Sequence, residues 1–382
     1  MPVVNAGLAC MTYKEPEAVP VYKDSTKTIE TASESDLTDE FMVYVQDVLD
    51  LIDFANSTDF ENNEWAALRK AMGHEEPFKL NRISVGNEQW ERGTNQWRDR
   101  YYWIEHFVHK KDPSMKLMSS AAWYHTGNSI HDNEYEFVYE QLKKNPDFTY
   151  AVDEHYYETP DWFYDNMDYY DSYSREANVF LGEVSARWEK RPGDYTICTL
   201  ENAIAEAAYF TMLERNSDII KMVSAAPLLC RVGGTQYSQW SHNLIWFDGK
   251  ASFETPSYYV RTMYGQNAGS YNYKSTVKND GNKCIYSNSV FDEKSGELII
   301  KVVNSSDFAR SVTVSVDGSI PLTGNARVIT LADNNRLIYN TIEAPEKIAP
   351  TETTEDCPGN EFTREFEANS FTIIRISVDL KE

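Results

Sequence analysis

The chain has 382 residues, of which 41% are hydrophobic and 13% aromatic, and 60 acidic against 36 basic residues give a formal net charge of −24. A chain of this length and composition supplies a large core and predicts two domains. The excess negative charge disfavours nucleic acids and anionic membranes as partners, because both are also negatively charged. No stretch approaches the roughly 18 consecutive apolar residues that a membrane span needs, so the sequence predicts a soluble globular protein.

Up to about residue 265, strand candidates alternate with helix candidates. The predicted strands are short and rich in β-branched or small residues, and they cover 2–7, 81–88, 115–123, 150–157, 178–183 and 219–227. The predicted helices have apolar residues at helical spacing, and they cover 37–56 (with Thr38 as N-cap), 96–111, 133–145, 160–173 and 199–217. This alternation indicates parallel βαβ units.

Six such strands are two fewer than a closed (β/α)₈ TIM barrel contains. The sequence also opens inside a strand-like apolar segment, MPVVNAGLACM. We therefore predict an α/β TIM barrel whose first two βα units lie upstream, and we assign the predicted activity to that longer protein. The sequence leaves the compartment open, and we expect the longer protein to be secreted or periplasmic.

The pattern changes after about residue 265. Segments that alternate apolar and polar residues, separated by turn residues, cover 283–292, 296–306, 310–318, 326–333 and 369–378. This period of two predicts an all-β antiparallel sandwich. The acidic, Pro- and Thr-rich stretch 344–362 is interpreted as a long solvated loop. The predicted domains are thus a catalytic barrel over 1–265 and a sandwich over 266–382.

The five cysteines lie far apart and form no CxxC or Cys/His cluster, which disfavours a zinc site and a dense disulfide framework. They are Cys10, Cys198, Cys230, Cys284 and Cys357. We predict no metal ligands.

Two glutamates stand where barrel chemistry is expected. Glu88 in SVGNEQW and Glu183 in FLGEVSA each end an apolar strand candidate, and TIM-barrel active sites lie at the carboxyl ends of the strands. Each alone is as well explained as a salt-bridged structural acid, whereas two together favour catalysis. Glycoside hydrolysis needs such a pair, one protonated to assist the leaving oxygen and one ionised to attack or to activate water.

The neighbours of the glutamates have two interpretations each. Asn87 either hydrogen-bonds a substrate hydroxyl or forms the turn at the strand end. His155 and Tyr157 lie on one side of the strand 150–157, where they either serve the site or are satisfied core residues. Asp153 and Glu154 are weaker candidate acids, since neither has a partner at the matching strand spacing.

If the visible strands are the third to the eighth of a barrel, Glu88 ends the fourth and Glu183 the seventh, an arrangement similar to that of a large clan of retaining glycosidases. Over nearly its whole length the chain resembles glycoside hydrolase family 51, the α-L-arabinofuranosidases. The resemblance is carried by the order and spacing of segments such as QDVLDLIDFAN, LNRISVGNEQW, DEHYY, VFLGE and QWSHNLIWFDG.

The resemblance implies Glu88 as general acid/base and Glu183 as nucleophile. It places Asn87, His155, Tyr157 and, more loosely, Asn243 around the sugar, with no metal or organic cofactor. Trp240 and Trp246 either line the same mouth or pack in the core. The chain departs from the family in lacking the first two barrel strands, with their PGG segment and pocket arginine, and in having Val184 after the nucleophile.

The implied activity is retaining release of terminal non-reducing α-L-arabinofuranosyl residues from arabinan, arabinoxylan or their oligosaccharides. The implied partners are therefore arabinose-containing plant polysaccharides or oligosaccharides, and a homo-oligomer is left open. Two alternatives remain at this stage. One is another retaining glycosidase of the same clan, such as a β-xylosidase or an endo-glucanase, and the other is a non-catalytic carbohydrate-binding fragment.

Overall fold

The computed structural model describes residues 1–9, 17–88, 96–120, 129–188, 198–233, 242–278, 283–317, 321–356 and 359–379. Two compact units are present. The first comprises Met1–His155 with Ser174–Gly182, and the second comprises Tyr156–Tyr173 with Glu183–Glu382. The domain boundary predicted at residue 265 stays a prediction.

The six predicted parallel strands are present and lie in one sheet. The first eight strands in chain order are β1 (Val3–Val4), β2 (Leu8–Ala9), β3 (Glu17–Ala18), β4 (Arg82–Val85), β5 (Lys116–Ser120), β6 (Ala151–Glu158), β7 (Asn178–Ala186) and β8 (Ile220–Val223). The order in the six-stranded sheet is β1-β4-β5-β6-β7-β8, and the pairs from β1 to β6 are parallel. Strands that follow chain order in a parallel sheet with helices between them confirm the predicted α/β class.

Helices connect these strands. They are α1 (Asp39–Asn56), α2 (Glu64–Ala71), α3 (Trp97–Lys111), α4 (Ser129–Lys144), α5 (Pro160–Asp165) and α6 (Leu200–Arg215), with a short 3-10 helix at Glu34–Asp36. The segment 160–173, predicted as one helix, is helical only as far as Asp165. Among the described residues, no helix combines the length and the apolar character that crossing a membrane requires.

Helix α1 shows how the sequence dictates these elements. Thr38 has extended backbone angles and its hydroxyl accepts a hydrogen bond from the Phe41 amide at 3.1 Å, which satisfies one of the free N–H groups of the first turn. The buried residues recur every three or four positions, as the sequence predicts, and they are Phe41, Val45, Val48, Ile52 and Ala55. One apolar stripe therefore fixes which face of the helix is buried.

The second unit continues with three further strands, a helix and the sandwich. The elements are β9 (Leu229–Arg231), β10 (Ile245–Phe247), β11 (Ser252–Glu254), α7 (Pro256–Gln266), β12 (Tyr271–Tyr273), β13 (Ile285–Asp292), β14 (Glu297–Asn304), β15 (Arg310–Ser315), β16 (Leu322–Ala332), β17 (Thr351–Asp356), β18 (Glu361–Phe366) and β19 (Ser370–Val378). A six-stranded sheet has the order β12-β13-β14-β19-β16-β17, and β15 pairs with β18. All pairs in these two sheets are antiparallel, which confirms the predicted sandwich.

The interpretation of 344–362 as one long loop is wrong. Strand β17 lies inside this stretch, pairs with β16 at the edge of the sheet, and β18 begins before the stretch ends. All six residues of β17 are exposed, so the strand carries no apolar alternation that periodicity could detect. Its threonines favour extended backbone, and its charges suit an exposed edge.

A buried ion pair ties helix α6 to the sandwich within the second unit. The Lys301 side chain on β14 is fully buried, and its ammonium lies 2.5 Å from the Glu214 carboxylate near the end of α6. Asn288 donates a second hydrogen bond to Glu214 at 2.9 Å. Burial lowers the pKa of Lys301, and the negative charge of Glu214 opposes this shift.

We expect Glu214→Ala to reduce the free energy of unfolding by about 3–5 kcal/mol, because it leaves the Lys301 charge buried without its counter-charge. Chemical denaturation followed by circular dichroism measures the loss. Glu352→Ala is the matched control, since it breaks the solvent-exposed pair with Arg327 and should change stability little. Equal losses in the two variants would contradict the assignment of a structural role to the buried pair.

Candidate active site

Glu88 lies in a tight turn beyond the end of β4. The strand ends at Val85, because Gly86 and Glu88 adopt left-handed backbone angles, with φ of +79° and +50°. The predicted strand 81–88 is therefore three residues too long at its carboxyl end. A left-handed backbone is unfavourable for a residue with a side chain and concentrates at functional sites. The turn presents the Glu88 side chain, 39% exposed, to solvent.

His155 lies between two carboxylates in the first unit. Its Nδ1 is 3.1 Å from Oε1 of Glu88, and its Nε2 is 3.3 Å from Oδ1 of Asp153. The imidazole is almost fully buried, with 6% of its side chain exposed. A ring with two distinct nitrogens thereby links the solvent-facing Glu88 to a buried acid.

Asp153 is held from the opposite side by the backbone of β7. The amide of Gly182 donates to its Oδ1 at 3.0 Å. Burial raises the pKa of Asp153, while His155 and the Gly182 amide act in the opposite direction. A Cβ on Gly182 would lie 2.2 Å from the Asp153 Oδ1 and 2.8 Å from the His155 Nε2, so only glycine fits here.

Glu183 follows Gly182 and belongs to the second unit. The Tyr157 hydroxyl donates to its Oε2 and also lies 3.2 Å from the Ala226 carbonyl oxygen. Glu183 was predicted to end its strand, yet β7 continues to Ala186. Beyond Glu183, the Glu206 carboxylate accepts hydrogen bonds from the Ser185 hydroxyl and the Ala186 amide.

Two further side chains pack on the Tyr157 ring. His242 lies 4.5 Å away between ring centroids, and the Arg187 guanidinium lies 4.9 Å from the ring centroid. Burial, helped by the positive charges of Arg187 and Arg261, lowers the pKa of His242 to about 3. His242 is therefore neutral at physiological pH, and Arg187 is the positive charge that lies against Tyr157.

Behind Glu183, a buried ion pair fixes the backbone of β7. Arg261 lies 3.2 Å from the fully buried Glu206 and donates to the carbonyl oxygens of Val184 and Ser224. The three β7 residues after Glu183 therefore all contact this ion pair, Val184 through Arg261 and Ser185 and Ala186 through Glu206. Charge-assisted hydrogen bonds of this kind are stronger than neutral ones and hold a strand in one position.

The amino-acid sequence matches the models of one known family. Residues 169–370 match the model of the α-L-arabinofuranosidase C-terminal domain, and residues 12–175 match the model of the α-L-arabinofuranosidase 1 domain. The chain belongs to the α-L-arabinofuranosidases of glycoside hydrolase family 51.

Individual family members show how much of the chain is shared. It is 35% identical over 227 residues to an extracellular exo-α-L-arabinofuranosidase of Streptomyces chartreusis, covering 59% of this chain and 25% of that protein. It is 27% identical to α-L-arabinofuranosidase A of Aspergillus kawachii, covering 85% of this chain and 47% of that protein. The chain thus spans a quarter to a half of the length of these two curated relatives.

Solved structures of the family have the same fold. An arabinose-bound family 51 α-L-arabinofuranosidase superposes with a TM-score of 0.75 at 26% identity, covering 91% of this chain and 52% of that one. The thermostable family 51 enzyme of Thermotoga petrophila superposes with a TM-score of 0.67 at 18% identity, covering 91% of this chain and 80% of that one.

In this family 51 chain, the predicted site residues fall into two described groups. Glu88 contacts His155, and Glu183 contacts Tyr157. Asn87 is exposed beside Glu88. Asn243 is 1% exposed, and its carbonyl oxygen accepts a hydrogen bond from the Trp246 indole at 3.2 Å.

Trp240 and Trp246 had two interpretations each, at the mouth of the site or in the core. Trp246 packs in a buried cluster with Cys230 and Phe253, which supports the core interpretation. Trp240 lies outside the described residues. Sequence reasoning missed His242 and Arg187 and treated Asp153 only as a rival acid. The sequence signal for His242 was its position directly before Asn243, a predicted site residue.

Proposed function

We propose that the protein carrying this chain is a retaining α-L-arabinofuranosidase, with Glu183 as nucleophile and Glu88 as general acid/base. Its substrates are terminal non-reducing α-L-arabinofuranosyl residues of arabinan, arabinoxylan or their oligosaccharides. The observation that carries the proposal is that the two glutamates have different partners. A tyrosine hydroxyl donates to Glu183, whereas an imidazole nitrogen faces Glu88.

These partners suit two different tasks. A hydrogen bond donated by Tyr157 stabilises a negatively charged Glu183 oxygen and orients the other oxygen for attack. An imidazole nitrogen is able to accept as well as donate, so His155 accommodates Glu88 in its protonated and its ionised form. One glutamate is thereby prepared as the nucleophile and the other for proton transfer, as double-displacement hydrolysis requires.

The proposed reaction has two steps. In the first, an oxygen of Glu183 bonds to the anomeric carbon, the glycosidic C–O bond breaks, and the proton of Glu88 passes to the leaving oxygen. In the second, ionised Glu88 removes a proton from water, whose oxygen bonds to the anomeric carbon as the ester to Glu183 breaks. Arabinose is released with its configuration retained, and both carboxyl groups return to their starting states.

Asn87 and Asn243 are proposed to contact the sugar. Asn87 is exposed next to Glu88, so its side-chain amide is accessible to a sugar bound there. Asn243 follows His242, which packs on the Tyr157 ring, so it lies close in sequence to a residue of the Glu183 group. The proposed specificity for arabinofuranosyl residues rests on the names of the relatives. The described contacts alone would fit any glycoside with the same anomeric geometry.

The test is hydrolysis of 4-nitrophenyl α-L-arabinofuranoside by the complete protein carrying this sequence, with the first-formed arabinose anomer followed by proton NMR. We expect turnover with the α-anomer appearing first. A matched panel of 4-nitrophenyl β-D-xylopyranoside and β-D-glucopyranoside separates the rival glycosidases. Preference for either pyranoside, first appearance of the β-anomer, or glycan binding without turnover would contradict the proposal.

A further inference from the structure

We propose that Asp153 is a positioning residue that acts on Glu88 through His155. This inference rests on the proposed role of Glu88 as the general acid. Asp153 and His155 are two positions apart on β6, so their side chains leave the same face of the strand. The buried acid, the imidazole and Glu88 form a continuous chain of contacts of 3.3 Å and 3.1 Å.

The burial of Asp153 needs a compensating interaction. Only 5% of its side chain is exposed, and an acid in such a place is unfavourable unless its oxygens accept hydrogen bonds. The Gly182 amide is one donor, but a neutral asparagine or serine oxygen would satisfy that amide at lower cost. The His155 nitrogen contacts the same oxygen, and both groups favour the ionised form of Asp153, with the imidazole having the larger effect.

Gly182 keeps this contact possible. A methyl group there would collide with both the Asp153 oxygen and the His155 nitrogen, at 2.2 Å and 2.8 Å. Gly182, directly before the proposed nucleophile, therefore leaves the space in which Asp153 and His155 meet. The contact between Asp153 and His155 is built into the packing of β6 against this part of β7.

The consequence concerns the tautomer of His155. A carboxylate facing Nε2 favours the form with its proton on Nε2, and this leaves the lone pair of Nδ1 directed at Glu88. The protonated carboxyl of Glu88 then donates a hydrogen bond to Nδ1 and keeps its proton until it serves the leaving group. In the other tautomer, Nδ1–H donates to Glu88 and favours the ionised carboxylate. Asp153 thereby selects the state that general acid catalysis needs.

The test compares leaving groups, because only poor ones need the proton. For Asp153→Asn in the complete protein, we expect kcat/KM to fall by about 10-fold on an alkyl α-L-arabinofuranoside, and by about 100-fold for Asp153→Ala. With 2,4-dinitrophenyl α-L-arabinofuranoside, both variants should stay within about 2-fold of wild type, since this phenolate leaves without protonation. A steeper dependence on leaving-group pKa is a result that mere loosening of the fold does not produce.

A double-mutant cycle with His155→Ala tests the route of the effect. In that background Asp153→Asn should cost nothing further, because the group through which it acts is gone. Asp147→Asn, at an exposed carboxyl, is the matched control and should leave both substrates unchanged. Equal losses on the two substrates, or an undiminished loss without His155, would overturn the inference. Glu88→Ala run in parallel tests the proposed acid separately: if it shows no leaving-group dependence, the proposed function fails rather than the role of Asp153.

Discussion

Replacement of Glu183 by alanine is expected to lower kcat/KM of the complete protein by at least about 10⁴-fold on every α-L-arabinofuranoside, whatever its leaving group. The variant lacks the oxygen that bonds to the anomeric carbon, and a good leaving group does not replace it. The Tyr157 hydroxyl, which donates to Glu183, keeps the Ala226 carbonyl as a nearby acceptor, so the fold should survive. Initial rates with 4-nitrophenyl α-L-arabinofuranoside measure the loss.

Azide distinguishes a missing nucleophile from a damaged site. In Glu183→Ala, azide enters the space of the lost carboxylate, bonds to the anomeric carbon once, and should release β-L-arabinofuranosyl azide with inverted configuration. Glu140→Ala removes an exposed carboxyl on α4 and is the matched control, with rates expected to equal those of wild type. Wild-type turnover in Glu183→Ala would exclude it as the nucleophile.

Local features of the fold were predictable because one element determines them. Helix α1, its N-cap Thr38 and its apolar stripe follow from residues within 18 positions of one another. The six parallel strands were predictable for the same reason, since each carries its own apolar run. Strand β17 was not predictable, because all six of its residues are exposed and show no apolar alternation. The strand is held by its pairing with β16, which periodicity does not reveal.

The candidate site was predictable to the level of residue type and no further. Glu88 and Glu183 stand out as acids next to apolar strands. The left-handed backbone of Glu88 and the continuation of β7 past Glu183 were not predictable, because the glycine near each glutamate determines neither feature. Periodicity gives no distance between side chains that are 67 residues apart, as Glu88 and His155 are.

Buried charges were the hardest feature to predict from sequence. Lys301 stands in an apolar run and Glu206 in an alanine-rich helix, where either would pass for a solvent-facing residue. Each is fully buried and has a charged partner from a distant segment, Glu214 for Lys301 and Arg261 for Glu206. The cost of burying a charge makes such partners necessary, but it does not identify them before the fold is known.

In contrast to Glu183→Ala, the loss of activity in Glu88→Ala should depend on the leaving group. We expect kcat/KM to fall by about 10²-fold to 10⁴-fold on alkyl arabinofuranosides, which need a proton, and far less on 2,4-dinitrophenyl α-L-arabinofuranoside, which does not. The kcat on the activated substrate should also fall, because water in the second step loses its general base. A burst of dinitrophenolate followed by a slow steady state, seen by stopped-flow absorbance, is the signature of the accumulating intermediate.

Azide also distinguishes the roles of the two glutamates, through the anomeric configuration of the azide product. In Glu88→Ala, azide occupies the space of the lost acid and attacks the arabinosyl ester of Glu183, so two successive inversions yield α-L-arabinofuranosyl azide. Since Glu183→Ala should give the β-azide, one reagent and one NMR assignment distinguish acid/base from nucleophile. The α-azide from Glu183→Ala would exchange the two roles, and no acceleration by azide in Glu88→Ala would leave Glu88 without a part in the second step. The product anomer therefore tests the distinction drawn from the His155 and Tyr157 contacts.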